Sequence, residues 1–118
     1  MPDAAPPRGS RREPGPARHE VPAIDEAALA AARTVDAMLL AARERGLDRW
    51  IAFLEPLPDR LRDGELRDVR SAAHRVRAAF GPKDSIRDVL SPELTEPAIV
   101  AADRLLKALA RHELRSDR

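Results

Sequence analysis

The residues whose types and spacing could do chemistry lie between residues 65 and 80. A stripe of four basic residues, the basic stripe, consists of Arg67, Arg70, His74 and Arg77. Spacings of three, four and three place them on one helix face, over about 15 Å at ~1.5 Å per residue. The stripe could bind carboxylates, phosphates or an acidic partner helix, because arginine pairs with such groups bidentately. Internal pairing, with Asp63, Asp36 or Asp103, is the interpretation that we favour.

A possible catalytic set occupies the same segment. Ser71 and His74 are three residues apart, and Asp68 precedes Ser71 by three, which resembles the composition of a Ser–His–Asp triad. Neighbouring residues on a helix surface point outward side by side, whereas a triad needs convergent side chains and an oxyanion pocket. We therefore interpret the three residues as a solvated polar face and predict no catalytic residue.

Metal and cofactor sites find little support in the composition. The chain has no Cys, which excludes disulfides, thiolate metal sites and Cys nucleophiles. Its three His residues, at 19, 74 and 112, show no pair at the spacing of helical metal ligands. The five Gly residues form no phosphate-binding loop. The sequence therefore predicts no metal, no cofactor and no nucleotide-dependent chemistry.

The elements that carry these residues are helices. Leu66, Val69, Ala73, Val76 and Phe80 recur every three or four residues, and no stretch alternates as a strand would. Other segments repeat the helical pattern or carry cap and stop residues. We predict helices at 25–45, 48–54, 65–80 and 95–113, with helical turns at 57–61 and 85–90. The fold class is all-α, an irregular three-to-four-helix bundle with a disordered N-terminal tail.

Two aromatic residues form a candidate interface. Trp50 and Phe53 concentrate apolar surface in the short helix predicted at 48–54. If they are exposed, they are anchors of the type found at interface hot spots. If they are buried, they close one end of the core, which is the interpretation that we favour because large exposed apolar patches are uncommon.

The chain divides into one helical domain and two tails. Residues 1–22 are rich in Pro and Arg and are predicted to be disordered, residues 23–114 form the helical domain, and residues 115–118 fray. Residues 1–21 contain four Arg against three acidic residues, which leaves 17 basic and 17 acidic residues in the rest. No segment has the apolar length of a membrane span or a secretory signal. Composition favours a cytoplasmic, bacterial protein.

Three functions are compatible with this pattern. The leading hypothesis is protein–protein contact, as a homodimer or a regulatory accessory subunit. The alternative is a DNA-associated transcriptional regulator that uses the tail and the arginines of 65–80, although a balanced net charge counts against nucleic acid. The third is a small-anion binder or enzyme with a pocket between the helices at 65–80 and 95–113.

Overall fold

The computed structural model describes residues 20–116, and this part of the chain contains helices and no strand. The predicted all-α fold is therefore confirmed. The helices are α1 (Pro22–Glu44), α2 (Asp48–Leu54), α3 (Leu57–Asp63), α4 (Leu66–Ala78) and α5 (Pro92–Ser116), with a 3-10 turn at Ile86–Asp88.

The helices form an up-and-down bundle. Helix α1 packs against α5, α3 and α2, and α4 packs against α5 and α3, whereas α1 and α4 meet at few points. Helices α4 and α5 are antiparallel, because Arg70 pairs with Glu113 while Arg77 pairs with Asp103. The guanidinium of Arg45, just beyond the end of α1, donates to the carbonyl of Val89, just before α5. Helices α1 and α5 therefore also run in opposite directions.

The core is aliphatic and rich in Ala. It is lined by stripes from every helix, and the largest fully buried side chains include Ile24, Met38, Leu54, Leu61 and Leu105. Alanines such as Ala28, Ala73 and Ala102 are buried between them, and small side chains let helix backbones approach closely. Burial of apolar surface at ~25 cal/mol per Å² is the main stabilising contribution in such a core.

Glycines set two of the turns. Gly46 adopts φ +65° after α1, where the N–H of Leu47 donates to Ala42 O (2.9 Å) and that of Gly46 to Arg43 O (3.2 Å). This is a Schellman motif, and it ends the helix that the sequence predicts at 25–45. At Gly64, a Cβ would lie 2.4 Å from the Arg60 carbonyl oxygen. Only glycine fits between α3 and α4.

Two predicted helix starts are wrong. Helix α1 begins at Pro22, so Asp25 lies in its first turn and is not the N-cap. Helix α5 begins at Pro92, so Thr95 is a buried residue inside the helix and Pro97 follows within it. Proline suits a first turn because its missing N–H has no helical partner there. Pro22 and Pro92 therefore set the starts, ahead of the polar residues that follow.

The predicted tails fall largely outside the described residues. Residues 1–19 and 117–118 are not described, so the prediction of disorder over residues 1–22 is testable here only at its end, where Pro22 already belongs to α1. At the other terminus α5 continues through Arg115 to Ser116.

Candidate binding face on helices α4 and α5

The basic stripe is divided by the packing of α4 against α5. Arg70 Nη2 lies 2.5 Å from Glu113 Oε2, and Arg77 Nε lies 3.2 Å from Asp103 Oδ1. Arg67 and His74 are exposed, and neither has an ion pair to any residue in 20–116. Two of the four stripe residues therefore connect α4 to α5, and two face solvent.

Only one of the three acidic residues expected to pair with the stripe does so. Asp103 pairs with Arg77, as anticipated. Asp36 instead accepts a hydrogen bond from Arg62 of α3 at 2.7 Å, and this contact is the main cause that raises the pKa of Arg62. Asp63, at the end of α3, does not pair with Arg67. The pairing of each carboxylate with a particular arginine therefore depends on how each helix is rotated about its own axis.

Other arginines also connect neighbouring elements. Arg87 binds Glu96 through two hydrogen bonds, and its Cζ lies 5.0 Å from the centroid of the Phe80 ring. Arg43 pairs with Glu55 at 3.1 Å across the α1–α2 corner. Both ion pairs are about half-exposed, and each joins two neighbouring elements of the bundle.

The aromatic pair is part of the core edge. Trp50 is 6% exposed, and its ring meets that of the half-buried Phe53 edge to face, with centroids 5.5 Å apart. The guanidinium of Arg75 covers the outer face of Phe53, 4.5 Å from its centroid. The interpretation of Trp50 as a core cap is supported, and neither ring is free to act as an exposed anchor.

The possible catalytic set does not converge. Asp68 Oδ2 accepts a hydrogen bond from the backbone N–H of Glu65 at 3.2 Å, as one half of a capping box at the start of α4. Ser71 and His74 are exposed on the outer side of the same helix. The carboxylate is therefore committed to the helix start and does not orient the imidazole.

A second group of cations, overlooked in the sequence, lies on the outward side of α5. We call this surface the α5 face. Its basic side chains are Arg104, Lys107, Arg111 and Arg115. All four are exposed, and none pairs with a carboxylate of residues 20–116. Val100 and Leu114, which are 53% and 67% exposed, lie along the same face. The spacing of three, four and four is the sequence signal of this face, and it lies beside the apolar pattern of the same helix that predicts the core.

The described region offers neither a metal site nor a membrane-spanning helix. Among residues 20–116, no three His, Asp or Glu side chains are placed to hold a metal ion. None of the helices in that range is long and apolar enough to cross a bilayer. Among residues 20–116, the α5 face and Arg67 form an exposed cationic surface without a carboxylate partner.

Similarity to known proteins adds no further assignment for this surface. No protein family matches the chain, and neither curated proteins nor solved structures include a significant match.

Proposed function

We propose that this protein is an accessory subunit that acts by binding another protein through the α5 face. The observation that carries the proposal is the contrast between two sets of basic residues on one side of the bundle. Arg70 and Arg77 have carboxylate partners across the α4–α5 seam. The four cations of the α5 face have none among the described residues, and two exposed apolar side chains accompany them.

Apolar side chains make a protein partner the favoured one. Val100 and Leu114 would gain little against a phosphate backbone, whereas apolar contact contributes to most protein interfaces. The carboxylates of Asp103 and Glu113 hold Arg77 and Arg70 across the α4–α5 seam. Binding of DNA by the arginines of α4 is weakened by the same pairing, as is a small-anion site in the α4–α5 seam.

The homodimer form of the hypothesis has less support than a different partner. Among residues 20–116, the large exposed apolar side chains are Leu29 and Leu40 on α1 and Val100 and Leu114 on α5. Within each helix the two are separated by more than ten residues, and charged residues lie between them. Stable homodimers usually bury a continuous apolar surface, which these isolated side chains do not supply.

The decisive experiment compares two triple charge reversals. The face variant is Arg104→Glu/Lys107→Glu/Arg111→Glu. The control variant, Arg33→Glu/Arg60→Glu/Lys83→Glu, makes the same charge change at exposed cations that also lack an ion pair in residues 20–116. Each tagged protein is recovered from its native cells at ~0.15 M salt, and co-purified proteins are quantified by mass spectrometry.

We expect that wild type and the control variant retain a partner protein and that the face variant loses it. Mixing the purified partner with each variant must then reproduce the difference. A partner that is equally retained by the face variant contradicts the proposal. Light scattering at ~0.15 M and ~1 M salt tests the homodimer: a dimer that persists at high salt would indicate an apolar interface instead of this charged one.

A further inference from the structure

We infer that the α5 face is shaped to receive an acidic amphipathic helix from a different protein. The inference rests on the proposed function and deepens it by assigning the chemistry of the partner. It follows from the periodicity of the exposed side chains, from their charge and from what self-pairing of this face would require.

The exposed residues of α5 follow a seven-residue repeat. Val100, Lys107 and Leu114 are each seven residues apart, over about 21 Å at ~1.5 Å per residue, and all three are exposed. Arg104 and Arg111 follow the first two of them by four residues. The face therefore has the three- and four-residue spacing of a helix-binding surface, with an apolar residue at each end and basic residues between them.

The spacing of the cations suits a helical partner better than an extended one. From Arg104 to Arg115 the successive steps are three, four and four residues, or about 4.5, 6 and 6 Å along the axis. A helix with Asp or Glu at the same spacing stays in register throughout. In an extended strand every second residue advances by about 6.7 Å, so the register is lost by about 3.5 Å at the fourth cation.

Self-pairing of the face is unfavourable. In a two-fold symmetric pairing centred on Lys107, that ammonium faces its own copy, and Arg104 and Arg111 lie within about one residue, or ~1.5 Å along the axis, of facing each other. A parallel pairing also places Lys107 against Lys107. Like charges placed opposite each other in an interface oppose binding and select against that partner. The face therefore fits a second protein of opposite charge and not a second copy of this chain.

The test uses three probes at equal salt. The first is a 21-residue peptide with Leu at the positions that oppose Val100 and Leu114 and Glu at the positions that oppose Arg104, Lys107 and Arg111. The second has the same composition in an order without the seven-residue repeat. The third is a single-stranded oligothymidylate of twenty nucleotides. Binding is measured by fluorescence anisotropy at ~0.05 M and ~0.15 M salt.

We expect the repeat peptide to bind at least about tenfold more tightly than its isomer and the oligonucleotide. The face variant should lose at least about tenfold in affinity, while the control variant keeps it. Val100→Ala/Leu114→Ala should weaken binding of the repeat peptide and leave the isomer unchanged. Circular dichroism checks that each variant remains helical, so that loss of binding is not loss of fold.

Each contrary outcome would show a different part of the inference to be wrong. Equal affinity for the two peptides would overturn the inference of a helical partner, because charge attraction alone would then explain the binding. Tighter binding of the oligonucleotide would replace the inference with nucleic-acid binding. If a co-purified partner depends on the face but is not displaced by the repeat peptide, the proposed function stands and the acidic helix is wrong. If no partner depends on the face, both are wrong.

Discussion

Arg87 binds both carboxylate oxygens of Glu96: Nε lies 2.8 Å from Oε2, and Nη2 lies 3.2 Å from Oε1. The contact joins the 3-10 turn at Ile86–Asp88 to the first turns of α5. Hydrogen bonding to Arg87 is the largest cause that lowers the pKa of Glu96, ahead of the opposing effect of desolvation. The same pair raises the pKa of Arg87.

The first prediction is that this pair contributes a pH-dependent part of the stability. Because the pKa of Glu96 is lower in the folded state, its contribution is complete above the unfolded pKa and is lost as the pH falls through the folded pKa. We expect Glu96→Gln to be less stable than wild type at neutral pH, and the difference to shrink in acid. Urea unfolding followed at 222 nm between about pH 3 and pH 7 measures it.

Glu26→Gln provides the comparison, because Glu26 is an exposed helical glutamate without an ion pair in residues 20–116. Its stability should follow the wild-type curve. Parallel pH curves for wild type and Glu96→Gln would show that the Arg87 contact adds no stability.

The second prediction concerns the turn between α3 and α4. In Gly64→Ala the new Cβ would lie 2.4 Å from the Arg60 carbonyl oxygen and 2.7 Å from Asp68 Cβ, so the backbone must move. We expect a loss of about 1–3 kcal/mol in the free energy of unfolding. Gly81→Ala is the matched control, because its Cβ would meet nothing nearer than 3.6 Å. Equal denaturation midpoints for the two variants would contradict this account of Gly64.

The third prediction concerns Thr95, which is buried inside α5. Its hydroxyl has no well-aligned hydrogen-bond partner among the described residues, although it contributes slightly to lowering the pKa of the adjacent Glu96. Thr95→Val keeps the shape and removes the buried hydroxyl, so we expect unfolding free energy to be unchanged or raised by about 1 kcal/mol. Thr95→Ala, which leaves a void, should be less stable than Thr95→Val. A destabilised valine variant would mean that the hydroxyl is satisfied.

The fourth prediction compares two leucines of opposite environment. Leu61 of α3 is fully buried, whereas Leu40 of α1 is 59% exposed. Leu61→Ala should cost about 2–5 kcal/mol of unfolding free energy, from lost burial and the remaining cavity. Leu40→Ala should stay within about 0.5 kcal/mol of wild type. A comparable loss at Leu40 would reveal that its side chain is covered in solution, by association with another chain.

Local signals were sufficient for most of the helices. The short helix Asp48–Leu54 has the predicted bounds, because Gly46 precedes it and Pro56 follows it. The predicted starts of α1 and α5 were wrong because, at each of them, a proline and a polar residue that can both begin a helix lie within a few residues of each other. Sequence spacing does not show at which of the two residues the helix begins.

The candidate binding face was predictable only in part. The reason is the orientation of the helices and not the position of their ends. Spacing shows that Arg70 and Arg77 share a face of α4, and it does not show that α5 presents Glu113 and Asp103 to them. That depends on the rotation of two helices about their own axes, which the packing of the whole core determines. The α5 face is visible as a pattern in the sequence, but its lack of partners becomes apparent only after the neighbouring helices are placed.

The antiparallel packing of α1 and α5 has a consequence for rearranging the chain. The two helices contain 23 and 25 residues and begin at opposite ends of the bundle, so Pro22 and Ser116 lie at the same end. A short flexible linker between these points, with new termini opened in the loop around Lys83, would give a circular permutant that keeps every helix intact. The order of the helices along the chain would change, while the arrangement that presents the α5 face would not.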